Sequence, residues 1–440
     1  MSTQTSPTIL LEQSVCSPCV ACRLPLPIRP KPPEAEGQVW VCVRCDTKHH
    51  GLRIEDPPAE YANNVRPAES GLFYSLSPSV AHTPRGKAKK SLPHRGAVPC
   101  EFETLASRAM DDAISRGARL TVKPEGPPFV KSVKRHGAKP YDALAEARFI
   151  DEYDESQLQM ESLVKSLEQG KLMDLDAPAA LTRDALAQAT EDLDLFVRLG
   201  INPPKHDYAG KQSFHVAMLA TSIGAHMGWD EKTLVELGIG CLLHDIGMAR
   251  VPAGSYKNSR VLDVSEFGEI ARHPLHTFDL LGGHCLSVPL VSRMVAYQIH
   301  ERCNGSGYPR QRSGDSIHQA AKVAAVADVY VALVSARPHR PALMPYYAVE
   351  HLLYGVKSGE FDGAAVRALL KTVSLFPIGS YLALKDGRVA RVIRANPEHF
   401  GRPVIEAWQP DQLNRAPKVI DLAQEPQLAI EGPLPRLEPA

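Results

Sequence analysis

The sequence predicts a mainly α protein: an all-α domain over 181–376, preceded by a small cysteine-bearing module and followed by a small β appendage. Three observations carry this. Apolar residues recur at helical spacing from 182 to 374, with no alternating strand pattern between them. Five of the nine cysteines, Cys16, Cys19, Cys22, Cys42 and Cys45, crowd the start of the chain. An Asp-Gly turn, Asp386–Gly387, separates two β-prone runs in SYLALKDGRVARVIRA, the signature of a hairpin.

Composition bounds the answer. Of 440 residues, 44% are apolar and 23% charged, which excludes a wholly disordered or fibrous chain. Fifty basic residues balance fifty acidic ones, so there is no overall basic footprint for nucleic acid, and nucleic-acid binding is not expected. The longest greasy stretch, Ala320 to Ala336, is interrupted by Lys322 and Asp328, and no window gives the ~18 unbroken apolar residues of a membrane span. The start, MSTQTSPTILLEQ, lacks a basic stretch followed by a long apolar one. A cytoplasmic setting is expected, where cysteine spacing is read for metals rather than disulfides.

In chain order, 1–15 is a flexible N-terminus and 16–50 the cysteine module. Cys19-x2-Cys22 followed by Cys42-x2-Cys45 can present four thiolates to one tetrahedral Zn2+, although Cys16 offers an alternative register. Such a closed, ribbon-like site is structural, not catalytic, and suits a scaffolding or partner-binding role. Residues 51–140 are rich in proline and basic residues, with RGKAKKSLPHR (85–95) as a solvated linker and 107–122 as a short helix, a Gly stop and a strand. Residues 141–180 form an acidic helical connector.

Within 181–376, Thr182 caps a helix through Leu199, and further helices are expected at 211–227, 231–246, 264–282, 287–300, 318–335, 346–356 and 363–374. The β appendage covers 377–410, with VIEAW (404–408) as an added strand, and the Pro-rich tail 411–440 is expected to fray.

The chemistry lies on these helices. CLLHDIGM puts His244 and Asp245 at a helix end, where adjacent side chains point about 100° apart and both can reach an ion beyond it. His215 falls on an apolar helix face, His273 precedes Pro274, and QIHERCNGSGYP supplies His300 and Glu301. Asp328 is the one acid in AAKVAAVADVYVALVSA, and a lone buried carboxylate costs several kcal/mol unless paired or metal-bound. Each has an ordinary reading as a hydrogen-bonded core residue. Six of them together, all but Glu301, favour a polynuclear metal site.

The order and spacing of His215, HDIG at 244–247, His273-Pro274, HE with GYP at 300–309 and ADVYVALVSARPHR at 327–340 resemble the HD-GYP family of HD phosphohydrolases. The resemblance implies an HD-type helical fold and hydrolysis of the bacterial second messenger cyclic di-GMP, to pGpG or GMP, at a di- or tri-metal centre. It implies a first metal on His215, His244, Asp245 and Asp328. A second would share Asp245 and add His273 and His300. Such oxygen and nitrogen donors suit two divalent ions, iron or manganese. By the same resemblance Asp245 and Glu301 are catalytic. Gly305 and Gly307 allow backbone to approach the ligand, Tyr308 offers a ring to a guanine base, Pro309 stiffens the loop, and Arg337 and Arg340 meet the phosphates. A diguanylate cyclase or another signalling protein is a compatible partner of the zinc module, and a helix-mediated homodimer is compatible too.

Four positions depart from the family's pattern. Ile299 stands where a second histidine is usual, Met248 where HDIGK has lysine, Asn304 where an acid is usual, and Lys211 where trinuclear members carry Glu. A third metal is therefore not expected. The leading reading is a phosphodiesterase, and the alternative is a degenerate domain acting as a cyclic di-GMP sensor or protein-interaction module.

Overall fold

The computed structural model describes residues 104–168, 176–201, 209–252, 264–281, 288–336, 342–413 and 415–434, together with the backbone of three short strands before them. The chain divides into two compact units. One comprises Met1–Gly96, Ala253–Glu266 and Ala336–Ala342; the other comprises Ala97–Pro252, Phe267–Ser335 and Leu343–Ala440. In the first, β1 (Trp40–Cys42), β2 (Lys48–His49) and β3 (Val65–Pro67) form an antiparallel sheet in the order β2-β1-β3, with Cys42 opposite Val65. The other expected zinc ligands, Cys19, Cys22 and Cys45, lie outside the described residues, as do Arg337 and Arg340.

The described helices are α1 (Leu105–Ser115), α2 (Ala143–Glu168), α3 (Asp176–Glu191), α4 (Leu193–Ile201), α5 (Ala209–His226), α6 (Glu231–Leu243), α7 (Val264–Ala271), α8 (His273–Leu281), α9 (Leu290–Gln298), α10 (Gln319–Val334), α11 (Pro345–Lys357) and α12 (Gly363–Val373). The expected single helix over 182–199 is two. Asp192 sits between α3 and α4 and accepts the N–H of Leu195, so a capping residue restarts the helix in a new direction. The expected helix over 264–282 also divides, at Arg272, with Pro274 in the first turn of α8 where a missing N–H costs nothing. Among the described residues no helix is long and apolar enough to cross a membrane.

The core is built around α5 and α10. Val216, Leu219, Ala220 and Ile223 of α5 and Ala320, Val323, Val326, Ala327, Tyr330 and Val331 of α10 are fully buried. α5 packs against α2, α4, α6, α10 and α12. α6 begins at Asp230, whose Oδ1 accepts the N–H of Thr233 at 3.0 Å. Its Oδ2 accepts the N–H groups of Glu125 and Gly126 at 2.8 and 2.6 Å, binding the segment after α1 to the bundle. α10 begins at His318, whose ring Nδ1 accepts the N–H of Ala320 at 3.1 Å. Burial, then Lys322, holds this imidazole down at about 4, so it stays the neutral acceptor that a cap requires.

The appendage is larger than expected. β4 (Tyr381–Leu384), β5 (Val389–Arg394), β6 (Val404–Trp408), β7 (Lys418–Asp421) and β8 (Ile430–Leu434) form one antiparallel sheet in the order β7-β6-β5-β4-β8. The segment expected to fray thus supplies both edge strands. Pro433 is tolerated because β8 is an edge, with one row of backbone groups unpaired. Arg394 joins sheet to helices: its guanidinium is 2% exposed, bonds both oxygens of Asp192 at 2.9 and 3.0 Å, and reaches Asp194 at 3.3 Å. The Tyr141 ring lies 4.7 Å beneath it, and the Tyr141 hydroxyl donates to the carbonyl of Ile393.

Candidate metal centre

The His-Asp pair closes α6. His244 is the C-cap, Asp245 follows, and Ile246–Arg250 makes a 3-10 turn. This turn lies against α8 because Gly247 has no side chain: a Cβ there would stand 2.0 Å from the carbonyl oxygen of His273. Thr277 staples the contact, accepting the N–H of Gly247 at 3.1 Å and donating to the carbonyl of His244 at 3.0 Å. The close approach brings Asp245 and His273 together.

Three imidazoles are oriented alike. Nδ1 donates to a backbone carbonyl in each: His244 to Cys241 at 2.6 Å, His273 to Ile270 at 2.7 Å, and His215 to Gly200 at 2.9 Å. A carbonyl can only accept, so Nδ1 carries a proton in each ring and Nε2 is the nitrogen that can offer a lone pair to a metal. That is the arrangement metal-ligating histidines use.

The Nε2 atoms of His244 and His273 turn to Asp245, at 3.3 Å from Oδ2 and 3.2 Å from Oδ1. His300, just beyond α9, puts Nε2 3.7 Å from Asp245 Oδ1 and Nδ1 3.3 Å from Asp328 Oδ2. Asp328, on α10, places Oδ1 3.9 Å from Nε2 of His244. His244, Asp245 and His300 offer ligand atoms all within 4.8 Å of one another.

Burial sets the electrostatics. His244 and Asp328 are almost wholly enclosed and Asp245 is about one-sixth exposed. For His244, burial opposes charge, but Asp245, Asp328 and the Cys241 carbonyl outweigh it and push the ring up to about 9. Burial would raise Asp245, yet His244 and bonds from His273 and His300 hold it well below the ordinary carboxylate range. Asp328 is lowered against burial by His300 and His244, and His273 is lowered by burial. Two ionised carboxylates face a cluster of ring nitrogens, and among the described residues the buried Nε2 of His244 meets only Asp245 and Asp328, without a well-aligned hydrogen bond. A buried ring nitrogen without a well-aligned partner beside two carboxylates fits a divalent cation, which would replace the ring's second proton.

His215 meets a residue of another helix. Its Nε2 meets the hydroxyl of Tyr153 on α2 at 2.5 Å. Nothing in the sequence pointed to Tyr153, which belongs to the connector helix.

The GYP loop folds back on the site. Tyr308 stacks on His300 with centroids 4.9 Å apart and 14° between planes, and Phe267 meets its edge at 5.7 Å. One face of the ring expected to receive a base is thus taken by a site histidine. The Tyr308–Pro309 peptide is cis. Gly305 has φ +82°, the left-handed region. At Gly307 a Cβ would stand 2.5 Å from His300 O, Glu301 Cα and Arg302 N. The packing of the loop on its own base is by itself enough to require glycine there.

Glu301, expected to be catalytic, is 2% exposed. Its carboxylate accepts the backbone N–H groups of Arg310 and Arg312 at 2.8 and 2.9 Å. Burial pushes it up to about 7 even though those two bonds lower it. Both of its oxygens are thus engaged by the loop. Asp111 of α1, also unforeseen, braces the same loop through Arg310 at 3.1 Å and Arg312 at 2.6 Å. Of the departures from the family pattern, Ile299 is fully buried in the hydrophobic core, Met248 is half-buried beside the site, and Asn304 caps the loop through Ser306.

The family model described as HD domain matches residues 187–365. The chain is 27% identical over 244 residues to the cyclic di-GMP phosphodiesterase PA4108 of Pseudomonas aeruginosa, covering 56% of this chain and 57% of that protein. It is 34% identical over 157 residues to the cyclic di-GMP phosphodiesterase response regulator RpfG of Xanthomonas campestris, covering 36% and 40%. It is 27% identical over 170 residues to 3'3'-cGAMP-specific phosphodiesterase 1 of Vibrio cholerae, covering 38% of each. The chain therefore spans about half the length, or less, of these relatives.

Proposed function

We propose that this chain, whose residues 187–365 form an HD domain of the HD-GYP type, is a metal-dependent phosphodiesterase acting on a cyclic dinucleotide, cyclic di-GMP first among them. The observation that carries this reading is the convergence of buried Asp245 and Asp328 with the Nε2 atoms of His244, His273 and His300. In it His244, Asp245, His273, His300 and Asp328 hold two divalent ions, iron or manganese, with His215 as a further ligand. Bound metals would supply charge neutralisation at the phosphodiester and an activated water.

The chain's own residues do the rest. Backbone carbonyls fix each ring's tautomer and aim, so little reorganisation remains when the site loads. Asp245 touches three histidines and is the natural bridging ligand. Glu301 is a positioning residue, holding the loop that lays Tyr308 over His300. The half-buried Tyr308, with Arg337 and Arg340 from beyond the described residues, forms the substrate-binding set. Cys19, Cys22, Cys42 and Cys45 hold one structural zinc, tested by zinc content in a Cys19→Ser, Cys42→Ser variant, which should fall by one equivalent.

The second reading, a non-catalytic cyclic dinucleotide sensor, is favoured by Ile299, an apolar core residue where a ligand is usual. The experiment is metal analysis of anaerobically purified protein beside turnover of cyclic di-GMP and 3'3'-cGAMP. Metal beyond the zinc, with linear product lost in His244→Ala, Asp245→Ala, supports the enzyme. Metallated protein that binds cyclic di-GMP but forms no product above that variant establishes the sensor.

A further inference from the structure

α2 is the connector helix, and it lies over both elements that carry the first metal ligands. It packs against α5, which bears His215, and touches the 3-10 turn Ile246–Arg250 that follows His244 and Asp245. Tyr153 is its point of contact with His215. The phenol is 5% exposed, its ring meets the imidazole edge-on with centroids 5.5 Å apart, and it packs on Phe214 at 6.0 Å.

The proton count at His215 decides what this contact means. Nδ1–H is committed to the carbonyl of Gly200, so Nε2 offers one lone pair. The Tyr153 hydroxyl donates to that lone pair at 2.5 Å. A metal ion would need the same lone pair. Tyr153 and a metal therefore compete for one atom of His215.

A second observation on the same helix face points the same way. Gln157, one turn beyond Tyr153, is 5% exposed, and among the described residues its amide finds only the Tyr153 hydroxyl, without a well-formed hydrogen bond. A buried amide without a well-formed bond costs stability, so the α2 contact is held less firmly than its apolar residues would allow. Release of this face would satisfy Gln157 and expose the His215 lone pair together.

We propose that α2 gates the metal centre: Tyr153 withholds His215, and loading of that ligand requires the phenol to leave. The proposal rests on the metal-centre reading above. It makes metal affinity depend on the position of a helix outside the residues matched by the family model, and so gives the chain preceding that helix a route to control the site.

The test uses the full chain and Mn2+ alone, with bound and unbound Mn2+ read by electron paramagnetic resonance, for the wild type and for Tyr153→Phe, His215→Ala and the double variant. Phenylalanine keeps the ring packing and removes only the hydroxyl. Tyr153→Phe should bind Mn2+ about tenfold more tightly, the size of one neutral hydrogen bond. The gain should vanish in the double variant, where no lone pair remains to release. Wild-type binding that Tyr153→Phe leaves unchanged or weakens, or a gain that persists in the double variant, overturns the gate and leaves the metal centre standing. No Mn2+ binding by any variant whose helicity by circular dichroism is intact would sink the metal centre and the gate together.

Discussion

Nε2 of His273 lies 3.0 Å from Nε2 of His300. Two ring nitrogens approach this closely when one lends the other a proton or when both address a common cation. Asp245 Oδ1 sits 3.2 and 3.7 Å from the two, which makes the trio one charge-linked unit. His273→Ala and His300→Ala should each weaken Mn2+ binding by at least the about 10–100-fold known for outer-sphere partners. A titration in which either variant binds like the wild type removes that residue from the metal set.

Glu301 offers a second test. Its two oxygens accept two loop N–H groups, and glutamine keeps only one acceptor oxygen. Glu301→Gln should destabilise the loop by about 1–3 kcal/mol while leaving Mn2+ affinity unchanged. Hydrogen exchange at the Arg310 and Arg312 amides should speed up about tenfold or more. Unchanged protection together with lost metal would return Glu301 to the metal site.

Ile299 is fully buried in the apolar core, so restoring the family's histidine places an imidazole there. Ile299→His should lower stability by about 1–3 kcal/mol and add no Mn2+ equivalent. Denaturant melts and metal stoichiometry on the same preparation decide it. An extra equivalent of bound Mn2+ would show that the side chain reaches the site.

Asp230 predicts a pH dependence. Burial raises it, but bonds from Thr233, Gly126 and Glu125 outweigh burial and hold it down at about 2, below the ordinary 3.8. A depressed carboxylate contributes stability that is complete above its unfolded value and lost as pH falls through its folded one. Asp230→Ala should therefore cost about 1–2 kcal/mol at neutral pH, and the gap between variant and wild type should close between pH 3.8 and about 2. Urea denaturation over that range measures it, and a gap independent of pH would refute the carboxylate's role.

The helical domain and the meeting of His244, Asp245 and His300 were legible because their signals are local. HDIG and GYP are short strings whose glycines are required by contacts within a few residues or with one neighbouring helix, as the Gly307 and Gly247 clashes show. Asp328 was legible as an acid with no reason to sit in an apolar helix. Tyr153 was not, because a tyrosine on an acidic amphipathic helix reads as ordinary packing until the fold sets it against His215, 62 positions later. The hold of Glu301 on its loop was not legible, because its partners are backbone amides, which no side-chain pattern encodes. The break at Asp192 was missed because an aspartate within a helical period signals a cap only once its oxygen is seen to accept Leu195. Strands β7 and β8 were missed because proline argues against central strands and is silent about edges.

The buried pair of Arg394 with Asp192 has a practical consequence for cutting the chain. Ending a fragment at the family match, residue 365, discards the guanidinium bonded to both oxygens of that carboxylate. An abandoned buried charge costs about 3–5 kcal/mol, a large share of what holds a typical domain together. The smallest piece that can be excised and still refold is set by this arginine, not by sequence similarity.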